Sequence, residues 1–124
     1  MEKGVTISIN CQPKDLLVYA DESLIARVVS NLLKNAAEAT DTGQHIGLHA
    51  FSDSDESVVI DVTNDGSPIP SDIAPHIFIP FFTTKNEGSG IGLSLSRQIM
   101  RMSNGSLVLL PYGDNKITTF RLRL

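Results

Sequence analysis

The chain has 124 residues, 41% of them apolar and 19% charged, with a formal net charge of −4 at pH 7, which suits one globular domain and is too short for two. The acidic balance argues against a broad nucleic-acid footprint. No run reaches the ~18 apolar residues that span a bilayer, and nothing at the start has the pattern of a signal peptide. The single Cys11 excludes an intrachain disulfide, fits a reducing compartment and reads as a packed strand residue.

In chain order, Val5 to Asn10 alternates apolar and polar residues, which predicts a strand with one buried face. Pro13 breaks it, and Leu17 to Ala20 predicts a short second strand. Asp21 or Ser23 then caps a helix of three to four turns. Its apolar residues come in pairs four apart (Leu24/Ile25, Val28/Val29, Leu32/Leu33, Ala36/Ala37), one broad stripe that ends at a turn over Thr40 to Gly43. Gln44 to Ser52 and Ser57 to Thr63 predict two strands joined by a polar loop, Asp53 to Glu56. A short helix is expected from Ser71 or Asp72 to about Phe78, a loop from Pro80 to Ser89, and a helix from about Gly92 to Ser103, closed by Asn104-Gly105 as a left-handed stop. Ser106 to Leu110 and Ile117 to Leu124 form a final hairpin across Gly113-Asp114-Asn115. The sum is an α+β domain, about three helices on one face of a sheet of five or six strands.

Four segments carry the candidate chemistry: NLLKNAAEA (Asn31 to Ala39), NDGSPIP (Asn64 to Pro70), IFIPFFTTK (Ile77 to Lys85) and GSGIGLS (Gly88 to Ser94). On the first helix Asn31, Asn35 and Glu38 share one edge of the apolar stripe. Asn is a poor helix former, and its amide oxygen is a hard neutral ligand suited to Mg²⁺; a solvated helix flank fits the same pattern. In the second segment Gly66 admits positive φ and lets a flat ligand approach the backbone, while a neighbouring amide or carboxylate oxygen can accept from an exocyclic amine such as adenine N6. A plain Asx turn fits too. Ile69, between Pro68 and Pro70, is placed to cover a ring. Phe81 and Phe82 read either as an anchor for a moving loop or as a core plug, and Lys85 is a point charge that can meet a phosphate. Gly88, Gly90 and Gly92 lead into a helix whose free N–H groups suit phosphate. They follow no strand of a βαβ unit, and there is no GxxxxGK[ST]. His45, His49 and His76 lack the partners that a Zn²⁺ site or a hydrolytic triad needs.

Taken together and in this order, the four segments resemble the N, G1, F and G2 boxes of the ATP-binding catalytic domain of sensor histidine kinases. That domain belongs to the superfamily of DNA gyrase, Hsp90 and MutL ATPases. Asn104-Gly105-Ser106-Leu107 and Thr118-Thr119-Phe120 are similar to that family's last helix end and final strand, so the resemblance covers essentially the whole chain. It implies a two-layer Bergerat-type fold, with helices on a mixed sheet. It also implies ATP and Mg²⁺ as ligands, and residue roles as follows. Asn35 coordinates Mg²⁺ with Asn31 beside it, the two forming the catalytic pair. Asn64 takes the position of the usual adenine-reading Asp, Gly66 sits under the ring and Ile69 against it. Gly88, Gly90, Ile91, Gly92 and Leu93 wrap the phosphates, and Phe82, Thr84 and Lys85 belong to the lid. Glu38, Asp65 and Thr118 join the nucleotide contacts.

The resemblance also separates branches of the superfamily. Hydrolysing relatives carry a Glu four residues before the metal-binding Asn, where this chain has Asn31. A neutral amide cannot take a proton from water, which favours a kinase over an ATPase or serine kinase. Three departures stand out: Asn64-Asp65-Gly66 reverses the usual Asp-Asn-Gly order, leaving the adenine contact to Asn64 or Asp65; Pro68 replaces a glycine; and only Asn86 and Glu87 separate Lys85 from Gly88. The phosphoacceptor histidine is expected on a separate dimerisation domain outside residues 1–124. A response regulator is the indirect partner. The isolated domain is expected to be a monomer, in the cytoplasm, an address compatible with a membrane-anchored parent. The rival reading is a degenerate nucleotide-binding or partner-docking module without kinase activity.

Overall fold

The computed structural model describes residues 6–12, 21–39, 44–53, 57–66, 68–80, 92–112 and 116–124. The expected strand Leu17 to Ala20, the turn Thr40 to Gly43, nearly all of the loop Pro80 to Ser89 and the hairpin tip at Gly113 to Asn115 lie outside those residues. The elements run β1 (Thr6–Gln12), α1 (Glu22–Ala39), β2 (His45–Ser52), β3 (Val58–Asn64), a 3₁₀ turn (Ala74–His76), α2 (Gly92–Met102), β4 (Ser106–Leu109) and β5 (Thr118–Arg123).

The strands form one sheet in the order β1-β2-β3-β5-β4. β1 and β2 are parallel, with α1 in the connection between them, and the remaining pairs are antiparallel. The sheet is therefore mixed, with five strands among the described residues. Val28, Leu32 and Ala36 of α1, with Ile99 and Met100 of α2, close over Ile46, Val62, Leu107, Phe120 and Leu122. Each fully buried aliphatic side chain such as Leu32 contributes about 1.5–3 kcal/mol.

Asp21 is the cap of α1: its Oδ1 accepts from the N–H groups of Ser23 (3.0 Å) and Leu24 (3.1 Å) and from the Ser23 hydroxyl (2.7 Å). Those bonds hold its carboxyl below the ordinary value, the Ser23 hydroxyl foremost. With that start and an unbroken run to Ala39, α1 has 18 residues, about five turns where three to four were expected.

The expected third helix is a correction. Between Ser71 and Phe78 only Ala74–His76 is helical, as a single 3₁₀ turn with turns on either side. Prolines at 70, 75 and 80 explain it: Pro75 has no N–H to donate, and Pro80 biases Ile79 away from helical ψ. The segment is nonetheless anchored, with Ile77 buried and the Phe78 ring edge-on to Phe120 at 6.3 Å.

α2 ends as the sequence suggested. The Gly105 N–H reaches the Met100 carbonyl (2.8 Å) and the Asn104 N–H that of Arg101 (3.2 Å), with Asn104 at φ 61°, which is a Schellman closure. Gly105 has a different reason to be glycine: a Cβ there would run into the Arg123 carbonyl of β5.

Candidate functional site

α1 is the shared wall of the site, since it packs on β3 and against α2. Of its polar edge, Asn31 and Asn35 are half-buried and Glu38 is exposed. Asn31 Nδ2–H donates to the Ser96 hydroxyl at 2.9 Å, and Ser96 is buried on α2. Gly92, the first residue of α2, leaves the space that the Asn31 amide fills, for a Cβ on Gly92 would lie 2.7 Å from its Oδ1. The amide thereby fixes the first turn of α2, whose free N–H groups and dipole favour an anion. Asn35 stands one turn further along the same edge of α1.

The second part of the site lies where β3 ends and β5 begins. Asn64 pairs with Ile46 on one side and with Thr118 on the other. By strand alternation it shares the helix-facing side of the sheet with Val62. Asn64 and Thr118 are each only 5% exposed, and among the described residues Asn64 Nδ2 and Thr118 Oγ1 have no hydrogen-bond partner. Folded proteins rarely leave such atoms unpaired. Two of them on neighbouring strands fit a ligand that brings its own donor and acceptor edge.

Asp65 has a different occupation. Its Oδ1 accepts from the His45 N–H (2.6 Å), its Oδ2 lies 3.1 Å from His45 Nδ1, and its carbonyl accepts from Gln44 Nε2 (3.2 Å). The His45 backbone N–H, first among these, holds the Asp65 carboxyl below its ordinary value. Between the two candidates that the reversed Asn-Asp order left open, Asp65 is tied to the start of β2 and Asn64 is the one with an unpaired group. Gly66 is buried beside them, and Ile69 packs against the core.

Of the remaining residues singled out from sequence, Gly92 and Leu93 open α2, with Leu93 packed against the core. Phe82, Thr84, Lys85, Gly88, Gly90 and Ile91 lie outside the described residues. No group of three His, Cys, Asp or Glu that could hold a metal occurs among the described residues. A Mg²⁺ ion that arrives with phosphate needs only one or two protein oxygens, and the Asn35 amide is of that kind.

Sequence reasoning missed Ser96 and His45. Ser96 carried a signal, being a small polar residue on the buried stripe of α2 with Ile99 and Met100. His45 carried none, because its pairing with Asp65 depends on strand register. The other side of the sheet holds a polar network. Arg121 makes a two-pronged pair with Asp61 (2.8 Å for each contact), Arg123 pairs with Asp53, and Asp61 holds the Arg121 guanidinium above its ordinary value.

Residues 20–124 match the family described as histidine kinase-, DNA gyrase B-, and HSP90-like ATPase. The sensor protein FixL of Bradyrhizobium diazoefficiens is 35% identical over 108 residues, covering 86% of this chain and 21% of FixL. The chain thus spans about a fifth of that relative. Among solved structures, the catalytic domain of histidine kinase ThkA superposes with a TM-score of 0.88 at 31% identity, covering 99% of this chain and 80% of that one. ThkA in complex with the response regulator protein TrrA gives a TM-score of 0.82 at 29% identity, covering 99% of this chain and 34% of that one.

Proposed function

The chain belongs to the histidine kinase-, DNA gyrase B- and HSP90-like ATPases, and on that footing we propose that it is the ATP-binding catalytic domain of a two-component sensor histidine kinase. The observation that carries the ATP reading is the buried pair of Asn64 Nδ2 and Thr118 Oγ1, without a hydrogen-bond partner among the described residues, at one end of the sheet. In this reading the two side chains meet the edge of the base, Gly66 leaves room under the ring and Ile69 covers it. Asp65 shapes the turn through its bonds to His45. The triphosphate lies toward the N-terminus of α2, with the backbone N–H groups of Gly88, Gly90, Ile91, Gly92 and Leu93 as its donors. Asn35 holds Mg²⁺ by its amide oxygen, Glu38 stands at the same edge, and Phe82, Thr84 and Lys85 form the lid.

Catalysis in such a site is positioning and charge neutralisation. Bound Mg²⁺ supplies the neutralising charge at the phosphates. Asn31 holds the first turn of α2 through Ser96, and because an amide cannot accept a proton, no residue at its position activates water. The γ-phosphoryl group is thereby kept for a histidine on a separate dimerisation domain. A response regulator is the downstream partner, in keeping with the ThkA–TrrA complex. A monomer in the cytoplasm is the proposed state of the domain. No helix among the described residues is long and apolar enough to cross a membrane.

Calorimetric titration with ATP, with and without Mg²⁺, tests this reading. Micromolar-range, Mg²⁺-dependent binding is expected, and Asn35→Ala should weaken it roughly tenfold or more. Absence of binding at millimolar ATP contradicts the reading.

A further inference from the structure

The ATP reading leaves open which purines the site accepts, and the surroundings of Asn64 bear on that question. We infer that this site takes 6-oxopurine as well as 6-aminopurine nucleoside triphosphates, an inference that rests on the nucleotide-binding reading above.

Adenine presents an N6–H donor beside the N1 acceptor. Guanine and hypoxanthine present the reverse, an O6 acceptor beside an N1–H donor. A primary amide carries one oxygen and one NH₂, and half a turn about its last side-chain bond exchanges them. It is thus complementary to either edge. A carboxylate accepts only: on either edge it meets one group (N6–H of adenine, N1–H of a 6-oxopurine) and opposes the acceptor beside it (N1 or O6).

What decides whether an Asn can use both orientations is whether its neighbours lock it in one. Here they do not. Asn64 is 5% exposed and its Nδ2 has no partner among the described residues. The group across the strand pair is the Thr118 hydroxyl, equally buried and equally unpartnered. A hydroxyl rotates to donate or to accept, so it follows the amide in either orientation. The nearest carboxylate, Asp65, would have imposed a preference for a donor. It is held at both oxygens by His45 instead, at 2.6 Å and 3.1 Å.

The test measures dissociation constants for the Mg²⁺ complexes of ATP, ITP and GTP on the full chain, for the wild type and for Asn64→Asp, with thermal melts to confirm folding. ITP separates edge recognition from any crowding of the guanine 2-amino group. Wild type should bind ITP within roughly tenfold of ATP. Asn64→Asp, which loses the donor and keeps only acceptors, should weaken both ATP and ITP by roughly 10- to 100-fold, the range for one buried mispaired polar contact. Wild type that binds ATP but rejects both ITP and GTP by more than roughly 100-fold overturns the inference and leaves the ATP reading standing. A folded Asn64→Asp variant that binds ATP and ITP as tightly as wild type overturns it as well. Failure of all three nucleotides to bind removes the ATP reading, and the inference with it. The wild-type comparison of ITP with ATP decides the matter even if Asn64→Asp does not fold.

Discussion

Asp65 and Asn64 are adjacent in sequence and chemically alike, yet the fold gives them unrelated tasks. Asp65 accepts from the His45 backbone at 2.6 Å, which depresses its carboxyl. A carboxylate whose folded value is depressed adds stability above its unfolded value of about 3.9 and loses it as pH falls through the folded one. The melting temperatures of wild type and Asp65→Asn should therefore differ at neutral pH and converge as the pH drops below about 4. A gap that stays constant from pH 7 to pH 3 contradicts this role. The sequence left the base contact open between Asn64 and Asp65. What occupies Asp65 is the β2–β3 register, which pairs Ile46 with Asn64 and so puts His45 beside Asp65. Nothing local to residues 64–66 carries that information.

At the scale of elements, the helices were legible where apolar periodicity was long and capped. The paired stripe of α1, the Asp21 cap and the Asn104 stop of α2 all follow from local chemistry. The stretch from Ser71 to Phe78 was misjudged because its amphipathic spacing outlived the backbone's ability to be helical between three prolines. Asn31 shows the opposite limit. Its place on the edge of α1 was readable, but its bond to Ser96, 65 residues away, was not. That bond joins the two helices at the end where phosphate is expected. Ser96→Ala leaves the Asn31 Nδ2–H without its acceptor and should destabilise the fold by about 1 kcal/mol, read as a lower urea midpoint at unchanged slope. A midpoint equal to that of wild type would mean that the bond contributes nothing to holding α2 on α1.

For the molecule as a whole, the mixed sheet gathers segments that are distant in sequence. The antiparallel pairing of β3 with β5 sets the end of one against the start of the other, and α1 crosses β3 to reach α2. Of the four motifs read from the sequence, the described parts fall at or near element ends: Ala39 closes α1, Asn64 closes β3 and Gly92 opens α2. The ion pairs Asp61–Arg121 and Asp53–Arg123 on the far side of the sheet were not legible, since charges alternate into strands without any local signature. The two faces also make the central claim testable in a single experiment. An NMR titration of the isotopically labelled domain with ATP and Mg²⁺ should move the Asn64 side-chain amide and the backbone of Gly66, Gly92 and Thr118 most, while Asp61 and Arg121 stay in place. Saturation with nucleotide that leaves the Asn64 amide unmoved, or shifts concentrated around Asp61 and Arg121, would contradict it.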